Sequence, residues 1–200
     1  MYVKYLNKKY KHLFDREIEV YKMIREHGKH PNILKMYKYN TNELYLKKCD
    51  GDLSQFYKNF DKGYILTSVI NATIFLHSIG IIHADIKPEN IMVKGYEIYL
   101  GDFDSSEFRD NKIKNPRIQC GIFRAPEVVN LDNPYYDHKV DIWSIGALCI
   151  YIEDVTIERE KLHELSKNVI KITSSEFNDI IKYSIRFHPS NRKEAHELLK

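Results

Sequence analysis

The chain has 200 residues, a formal net charge of +3 and a hydrophobic fraction of 43%. That length suits one domain, or one domain built as two unequal lobes. No apolar run approaches the roughly 18 residues of a membrane span, and the opening M-Y-V-K-Y-L-N-K-K-Y lacks the apolar stretch of a signal peptide.

The mild positive charge does not argue for nucleic acid, because no stretch combines dense Lys and Arg with interleaved aromatics in a binding motif. Lys8, Lys9 and Lys11 read as a solvated edge. Cys49, Cys120 and Cys149 stand singly and far apart. They form neither a zinc pattern nor a disulfide framework, which points to a reducing, cytoplasmic setting.

In chain order, Val3-Lys4-Tyr5-Leu6 predicts a short strand. From about Leu13 to His27, Phe14, Ile18, Tyr21 and Ile24 recur at helical spacing, with Asp15 placed to cap the start. Met36–Tyr39 and Glu43–Leu46 flank Asn40-Thr41-Asn42 and predict a hairpin. From Ile65 to Ile82 the pattern is long, apolar and helical, which predicts a buried helix. No repeat, low-complexity tract or linker divides the chain.

His83 to Asn90 reads H-A-D-I-K-P-E-N. Asp85, Lys87 and Asn90 fall too close together and too irregularly for one face of a strand, and Pro88 blocks a continuous helix. The segment therefore predicts a fixed loop between the apolar runs Ile79–Ile82 and Ile91–Val93. A carboxylate, an ammonium and a carboxamide on one loop suit a reaction with developing phosphate charge. Asp accepts a hydroxyl proton, Lys neutralises a transferring phosphoryl group, and Asn offers an oxygen to a hard cation. After the strand-like Ile98–Leu100, Asp102 in G-D-F-D supplies a second oxygen ligand.

These residues resemble a known family. H-A-D-I-K-P-E-N matches the protein-kinase catalytic loop H-R-D-L-K-P-E-N at six of eight positions, and G-D-F-D is similar to the D-F-G magnesium motif. R-E-I-x-x-Y at Arg16–Tyr21, followed by H-P-N-I at His30–Ile33, resembles the single helix of the kinase N-lobe. F-R-A-P-E ending at Glu127 resembles A-P-E. Tyr135–Asp137 lead into H-K-V-D-I-W-S-I-G-A-L, which resembles the D-x-W-S-x-G helix, and H-P-S-N-R-K-E-A-H-E-L-L resembles the closing D-P-x-x-R motif.

The resemblance implies an α+β, two-lobed kinase-like fold, with a truncated N-lobe over 1–49 and a mostly helical C-lobe over 50–200. It implies ATP and Mg2+ as cofactors, with Asp85 and Lys87 catalytic and Asn90 and Asp102 holding the metal. Lys4 and Glu17 form the ion pair that positions phosphates. Leu46 becomes the gatekeeper, Lys47 and Cys49 lend main-chain groups to the base, Asp52 meets the ribose, and Met92 lies under the base. The bland alternatives are an exposed N-terminal lysine at Lys4 and an ordinary acidic turn at Asp52. Asp141 is implied to hold the catalytic loop by its backbone, and Arg192 to pair with Glu127.

Departures carry expectations too. No G-x-G-x-x-G occurs, so the match begins at the third strand of the usual N-lobe, without the loop that covers the phosphates. Ala84 stands where the family has the Arg that binds an activating phosphate, and no Ser, Thr or Tyr lies between Glu107 and Arg124. Activity independent of phosphorylation there is expected, with Ser105 and Ser106 the nearest hydroxyls. Asp104 replaces the D-F-G glycine, whose use is unusual backbone angles. Cys120 takes the place of a threonine, as an inert thiol or a reactive one. Lys112, Lys114 and Arg117 either favour acidic peptides or form a solvated loop.

The function implied is a serine/threonine protein kinase acting on protein hydroxyls. The alternative is a pseudokinase or binding module that docks on another kinase or substrate. A regulatory protein at the open edge of the N-lobe sheet is a further partner; nucleic acid and membrane are not.

Overall fold

The computed structural model of the chain describes residues 1–109, 121–129, 136–167 and 177–199. Lys112, Lys114, Arg117, Cys120 and Tyr135 lie outside them. The fold class is α+β.

Strands β1 (Tyr2–Tyr5), β2 (Met36–Tyr39) and β3 (Glu43–Leu46) form an antiparallel sheet in the order β1-β3-β2. The hairpin is where the sequence placed it, while β1 starts and ends one residue earlier. Alternation sets the faces. Leu44 and Leu46 are buried, and the register puts Lys4 opposite Leu44 and Tyr2 opposite Leu46. Lys4 and Tyr2 therefore share the face that helix α1 (Lys11–His27) meets.

Asp15 does not cap α1. The helix continues from a 3-10 turn over Lys8–Tyr10, itself capped by Asn7, whose Oδ1 accepts the Lys9 N–H at 3.1 Å. Asp15 lies inside the helix and pairs with Lys11 one turn earlier.

The expected helix over Ile65–Ile82 divides in two. Asp61 caps α3 (Lys62–Ser78) by accepting the Tyr64 N–H at 2.8 Å. Gly80, at φ 77°, then turns the chain. Ile81–Ile82 become strand β5, paired with β8 (Glu107–Phe108). The run is rich in apolar residues because both pieces are largely buried, so periodicity could not separate them.

A second sheet has the order β4 (Gly51–Asp52), β6 (Ile91–Lys94), β7 (Glu97–Leu100). The short helix α2 (Leu53–Phe56) follows β4. Two backbone bonds join the region after α1 to the end of β7: Leu100 N–H to the Asn32 carbonyl at 2.8 Å, and Leu34 N–H to the Leu100 carbonyl at 2.9 Å. Gly101 permits this approach, since an added Cβ would lie 3.0 Å from Leu34 Cδ2 and 3.1 Å from its Cβ.

Below the second sheet, α3 packs on α5 (Lys139–Ile152), which is buried on nearly every side. α5 packs in turn on α7 (Asn178–Ser184). α4 (Pro126–Val129) and α6 (Arg159–Leu165) flank them. Arg192 reaches Glu127 on α4 bidentately, Nη1 to Oε1 at 2.6 Å and Nη2 to Oε2 at 2.7 Å. Its side chain is fully buried and its guanidinium lies 5.2 Å from the Trp143 ring centroid.

Removing one member of a buried pair leaves the other charge without its partner. Arg192→Ala is expected to lower unfolding stability by about 3–5 kcal/mol, read by chemical denaturation. A loss under about 1 kcal/mol, the range of an exposed pair, would contradict the assignment.

Candidate active site

The loop that follows β5 is held from below by a buried carboxylate. Asp141, on the first turn of α5, accepts the His83 N–H at 2.9 Å and the Ala84 N–H at 2.8 Å. His77 Nε2 lies 2.8 Å from the same carboxylate. Burial alone would raise the Asp141 pKa, but His77, His83 and the Ala84 N–H outweigh it and hold the carboxyl below its usual range. This clamp lets Ala84 keep a left-handed φ of 65°, uncommon for a residue with a Cβ.

The turn delivers three polar side chains to one point. Asp85 Oδ2 accepts from Lys87 Nζ at 2.6 Å and from Asn90 Nδ2 at 2.9 Å. Asn90 Nδ2 also donates to the Asp85 carbonyl at 2.8 Å, so the amide nitrogen is turned inward and its oxygen is left as the acceptor.

Gly101 ties this loop to the second motif. Its N–H donates to the Asn90 carbonyl at 3.0 Å, and its carbonyl lies 3.0 Å from His83 Nε2. Phe103 is fully buried between the rings of Tyr21 on α1, at 5.0 Å, and His83, at 5.2 Å. Asp102 takes a φ of 61°. Asp104 is not among the left-handed residues, which corrects the expectation that this position uses the glycine-like angles. The turn occurs two residues earlier, so an aspartate at 104 is tolerated.

Lys4 collects three carboxylates: Asp102 Oδ1 at 2.6 Å, Glu17 Oε2 at 2.7 Å and Asp104 Oδ2 at 3.6 Å. Burial works against the ammonium, but Glu17 and Asp102 outweigh it and hold the Lys4 pKa above the ordinary lysine value. Burial pushes Glu17 up to about 7; Lys4 pulls it back, while Asp102 and Asp104 add to the rise. Burial and the Asp102 charge likewise raise Asp104. The Glu17 oxygens are enclosed and accept no aligned hydrogen bond, so the contact to Lys4 is an ion pair governed by charge.

A cavity of about 370 Å³ opens beside this cluster, between the two sheets. Lys4, Glu17, Leu46, Lys47, Cys49, Asp52, Met92 and Asp102 all line it, together with Tyr2 and Leu34. A larger cavity of about 580 Å³ lies behind α1, and of the residues implied to bind the nucleotide or its metal it takes in Lys47 alone. The smaller one is therefore the candidate site. The linker Lys47–Asp50 is fixed by Lys47 N–H to the Lys35 carbonyl and by Asp50 N–H to the Val93 carbonyl, each 2.8 Å. Between these bonds lie the Lys47 carbonyl and the Cys49 N–H.

Two side chains are occupied in ways the sequence did not suggest. The Lys47 ammonium pairs with Glu97 at 3.2 Å and contacts the Tyr99 hydroxyl. The Asp52 carboxylate caps α2, accepting the Ser54 N–H at 3.0 Å and Gln55 Nε2 at 2.8 Å.

Sequence reasoning also missed Arg16, Glu107 and His77. Arg16 Nη1 lies 2.5 Å from Glu107 Oε2 and donates to the Ser106 carbonyl at 3.3 Å, and its guanidinium sits 5.1 Å from the Phe108 ring centroid. Nothing local pairs residues ninety positions apart, so no sequence signal could have found this. Ser106 is fully buried and its hydroxyl donates to the His83 carbonyl at 3.1 Å, which removes it as an accessible hydroxyl.

The architecture is an α+β fold whose cavity is lined by Asp102 but not by Asp85, Lys87 or Asn90, which the Gly101–Asn90 bond joins to the Asp102 turn. The family model described as protein kinase domain matches residues 2–200. Serine/threonine-protein kinase chk-2 of Caenorhabditis elegans is 28% identical over 221 residues, covering 92% of this chain and 44% of that protein. Serine/threonine-protein kinase Aurora-2 of Arabidopsis thaliana is 30% identical, covering 94% of this chain and 72% of its own. The probable casein kinase II subunit alpha homolog of Encephalitozoon cuniculi is 30% identical, covering 74% and 41%. The chain thus spans less than half the length of two of these relatives. It belongs to the protein kinase domain family.

That family generally uses ATP and Mg2+, and the donor set fits them. Three carboxylates surround one ammonium, an excess of hard anionic oxygen. Among the described residues no three His, Cys, Asp or Glu side chains converge to hold an ion unaided. Mg2+ does not require that, since it binds through one or two protein oxygens with phosphates and water completing its shell.

Glu17 gives a pH test. Its folded pKa lies above the unfolded carboxylate value, so the folded chain takes up a proton there as pH falls through about 7, and this group favours folding increasingly below that point. Relative to wild type, Glu17→Gln is expected to be most stable near about pH 8, with the difference shrinking toward about pH 5. Parallel stability curves over that range would contradict the raised pKa.

Proposed function

We propose that this chain is a serine/threonine protein kinase that transfers the ATP γ-phosphoryl group to protein hydroxyls. The observation that carries the reading is the Gly101 tie, which sets Asp85, Lys87 and Asn90 beside Lys4, Glu17 and Asp102. Two of the three relatives named above are serine/threonine-protein kinases by name, and the third is a casein kinase II subunit homolog by name. In this reading residues 1–49 form the smaller lobe and 50–200 the larger, and the cavity between their sheets takes the nucleotide.

Asp85 accepts the proton of the attacking hydroxyl as its oxygen bonds to the γ-phosphorus and the bond to the β-phosphate oxygen breaks, releasing ADP. Lys87, already 2.6 Å from Asp85, places its charge where the transferring group becomes negative. Lys4 orients the α- and β-phosphates, and Glu17 fixes Lys4. Asn90 and Asp102 would hold Mg2+, whose chemistry is neutralisation of phosphate charge. Leu46 closes the back of the cavity. The Lys47 carbonyl and Cys49 N–H meet the edge of the base, and Met92 lies against its face. Asp52 meets the ribose with whatever lone pairs its capping role leaves.

Phosphorylation of the segment after Glu107 is not needed in this scheme. Ala84 offers no cation to such a phosphate, and Arg16 already has an anionic partner in Glu107. The unpaired thiols of Cys49 and Cys149 suit a reducing compartment such as the cytoplasm. No helix of the described residues is long and apolar enough to cross a membrane.

Transfer of labelled γ-phosphate from Mg-ATP to a generic Ser/Thr substrate tests the chemistry. Asp85→Asn is expected to lower the rate by about 10²–10⁴; equal rates in variant and wild type would defeat the catalytic reading. Regulation is tested on the active enzyme. Phosphatase treatment is expected to leave its rate unchanged, and Glu107→Gln to lower it. A rate lost on phosphatase treatment would overturn the phosphate-independent scheme.

A further inference from the structure

We propose that the larger cavity behind α1 is a second ligand site, one that takes a compact anion carrying several phosphate groups, such as an inositol polyphosphate. This site is independent of the nucleotide reading of the smaller cavity.

Charge sets the cavity apart. Arg25, Lys29, Lys35 and Lys47 line it, and no aspartate or glutamate does. The candidate nucleotide cavity, by contrast, includes Glu17, Asp52 and Asp102, and the groove beside the first half of α1 includes Asp15. The cations come from four places in the chain. Arg25 lies on the last turn of α1, Lys29 on the loop after it, Lys35 just before β2 and Lys47 just after β3. Gly28, at φ 112°, turns the chain out of α1, and open space lies where its side chain would be.

Three of these charges are uncompensated. Among the described residues, Arg25, Lys29 and Lys35 meet no carboxylate. Lys35 lies over the Tyr37 ring, 4.8 Å from its centroid, a contact that leaves its charge in place. Lys47 differs, since it pairs with Glu97 and rests over the Tyr99 ring at 4.0 Å. The α1 dipole accounts for Arg25, because a cation in the last turn complements the helix C-terminus. It does not account for Lys29 or Lys35, which lie outside the helix. His30 lines the cavity too but serves the fold: its Nδ1 accepts the Asn32 N–H at 3.2 Å and its ring stacks on Phe75.

A concavity walled by charge of one sign concentrates the field that attracts an opposite charge. Its volume of about 580 Å³ falls within the roughly 300–1,000 Å³ of small-molecule sites. One phosphate monoester carries about −1.5 to −2 at neutral pH, less than three free cations balance. More than one phosphate on a single carrier is therefore the matching chemistry, and guanidinium and ammonium groups both bind phosphate well.

Equilibrium dialysis against labelled inositol hexakisphosphate, with and without excess Mg-ADP, tests the site. Wild type is expected to bind in both conditions. Arg25→Gln/Lys29→Gln is expected to weaken binding at least about tenfold, through the loss of two charge-assisted contacts. Lys8→Gln/Lys9→Gln, which removes two lysines off the cavity, is expected to stay within about twofold of wild type. All four residues are exposed, so both variants are expected to melt with wild type, which serves as the folding control. Phosphatidylcholine vesicles containing phosphatidylinositol 4,5-bisphosphate separate the two sources of the ligand. Vesicle binding that Arg25→Gln/Lys29→Gln abolishes assigns a lipid headgroup, and hexakisphosphate binding without it assigns a free polyphosphate; the site stands in either case. Hexakisphosphate binding that survives in Arg25→Gln/Lys29→Gln, or falls equally in Lys8→Gln/Lys9→Gln, is general charge attraction and overturns the site. Binding abolished by Mg-ADP puts the anion in the smaller cavity and overturns it as well, as does wild type that binds nothing. A doubly phosphorylated peptide that binds more tightly at the same residues makes this a protein-docking surface, which overturns the small-anion assignment.

Discussion

A single buried carboxylate sets the geometry on which the site depends. Asp141 is fully enclosed, and an isolated charge there would be costly. It is stabilised by two backbone N–H groups of the loop and by His77. The same bonds hold Ala84 in a left-handed conformation and so decide where Asp85 points. The loop is held by α5, and α5 is immobilised in turn by close packing on α7. At Gly146 an added Cβ would lie 2.7 Å from the Ser184 Cβ. Rigidity is passed upward from core to loop, which suits a group that must meet a proton at a defined distance.

Charge balance organises the other half of the site. Around Lys4 there are more carboxylates than cations; burial raises the pKa values of Glu17 and Asp104, and the neighbouring Asp102 charge adds to the rise. Such a cluster is unfavourable in isolation and is relieved by an added cation. Surplus anionic oxygen of this kind attracts an added cation. Tyr21 and His83, packed on the two sides of Phe103, couple α1 to the His83–Asn90 loop through apolar contact, while Arg16 and Glu107 couple α1 to β8 through charge. Glu17 sits between these two attachments, so its reach to Lys4 is set from both ends.

Much of this was legible in the residue string because it is local. Asp85, Lys87 and Asn90 lie within six positions, and Pro88 rules out the helix that would scatter them. Asp102 follows a strand whose length was plain from its apolar residues. The hairpin at Met36–Leu46 announces itself by alternation around a polar turn. The boundary errors have separate causes. Asp15 resembled a cap because capping residues are recognised by type, yet the 3-10 turn before α1 had already begun the helix. The run Ile65–Ile82 looked like one helix because extensive burial weakens the periodicity that separates helix from strand.

By itself, the sequence determined which chemical groups are present, their order, and the short loops that carry them, since these follow from residue type and near-neighbour sterics. Tertiary structure alone decided what those groups face. The third carboxylate at Lys4, the diversion of the Lys47 ammonium to Glu97, the Arg16–Glu107 pair and the cavity position of Tyr2 each join residues on different elements. Contacts of that kind depend on strand register and helix packing, which set distances across space between residues that have no fixed separation along the chain.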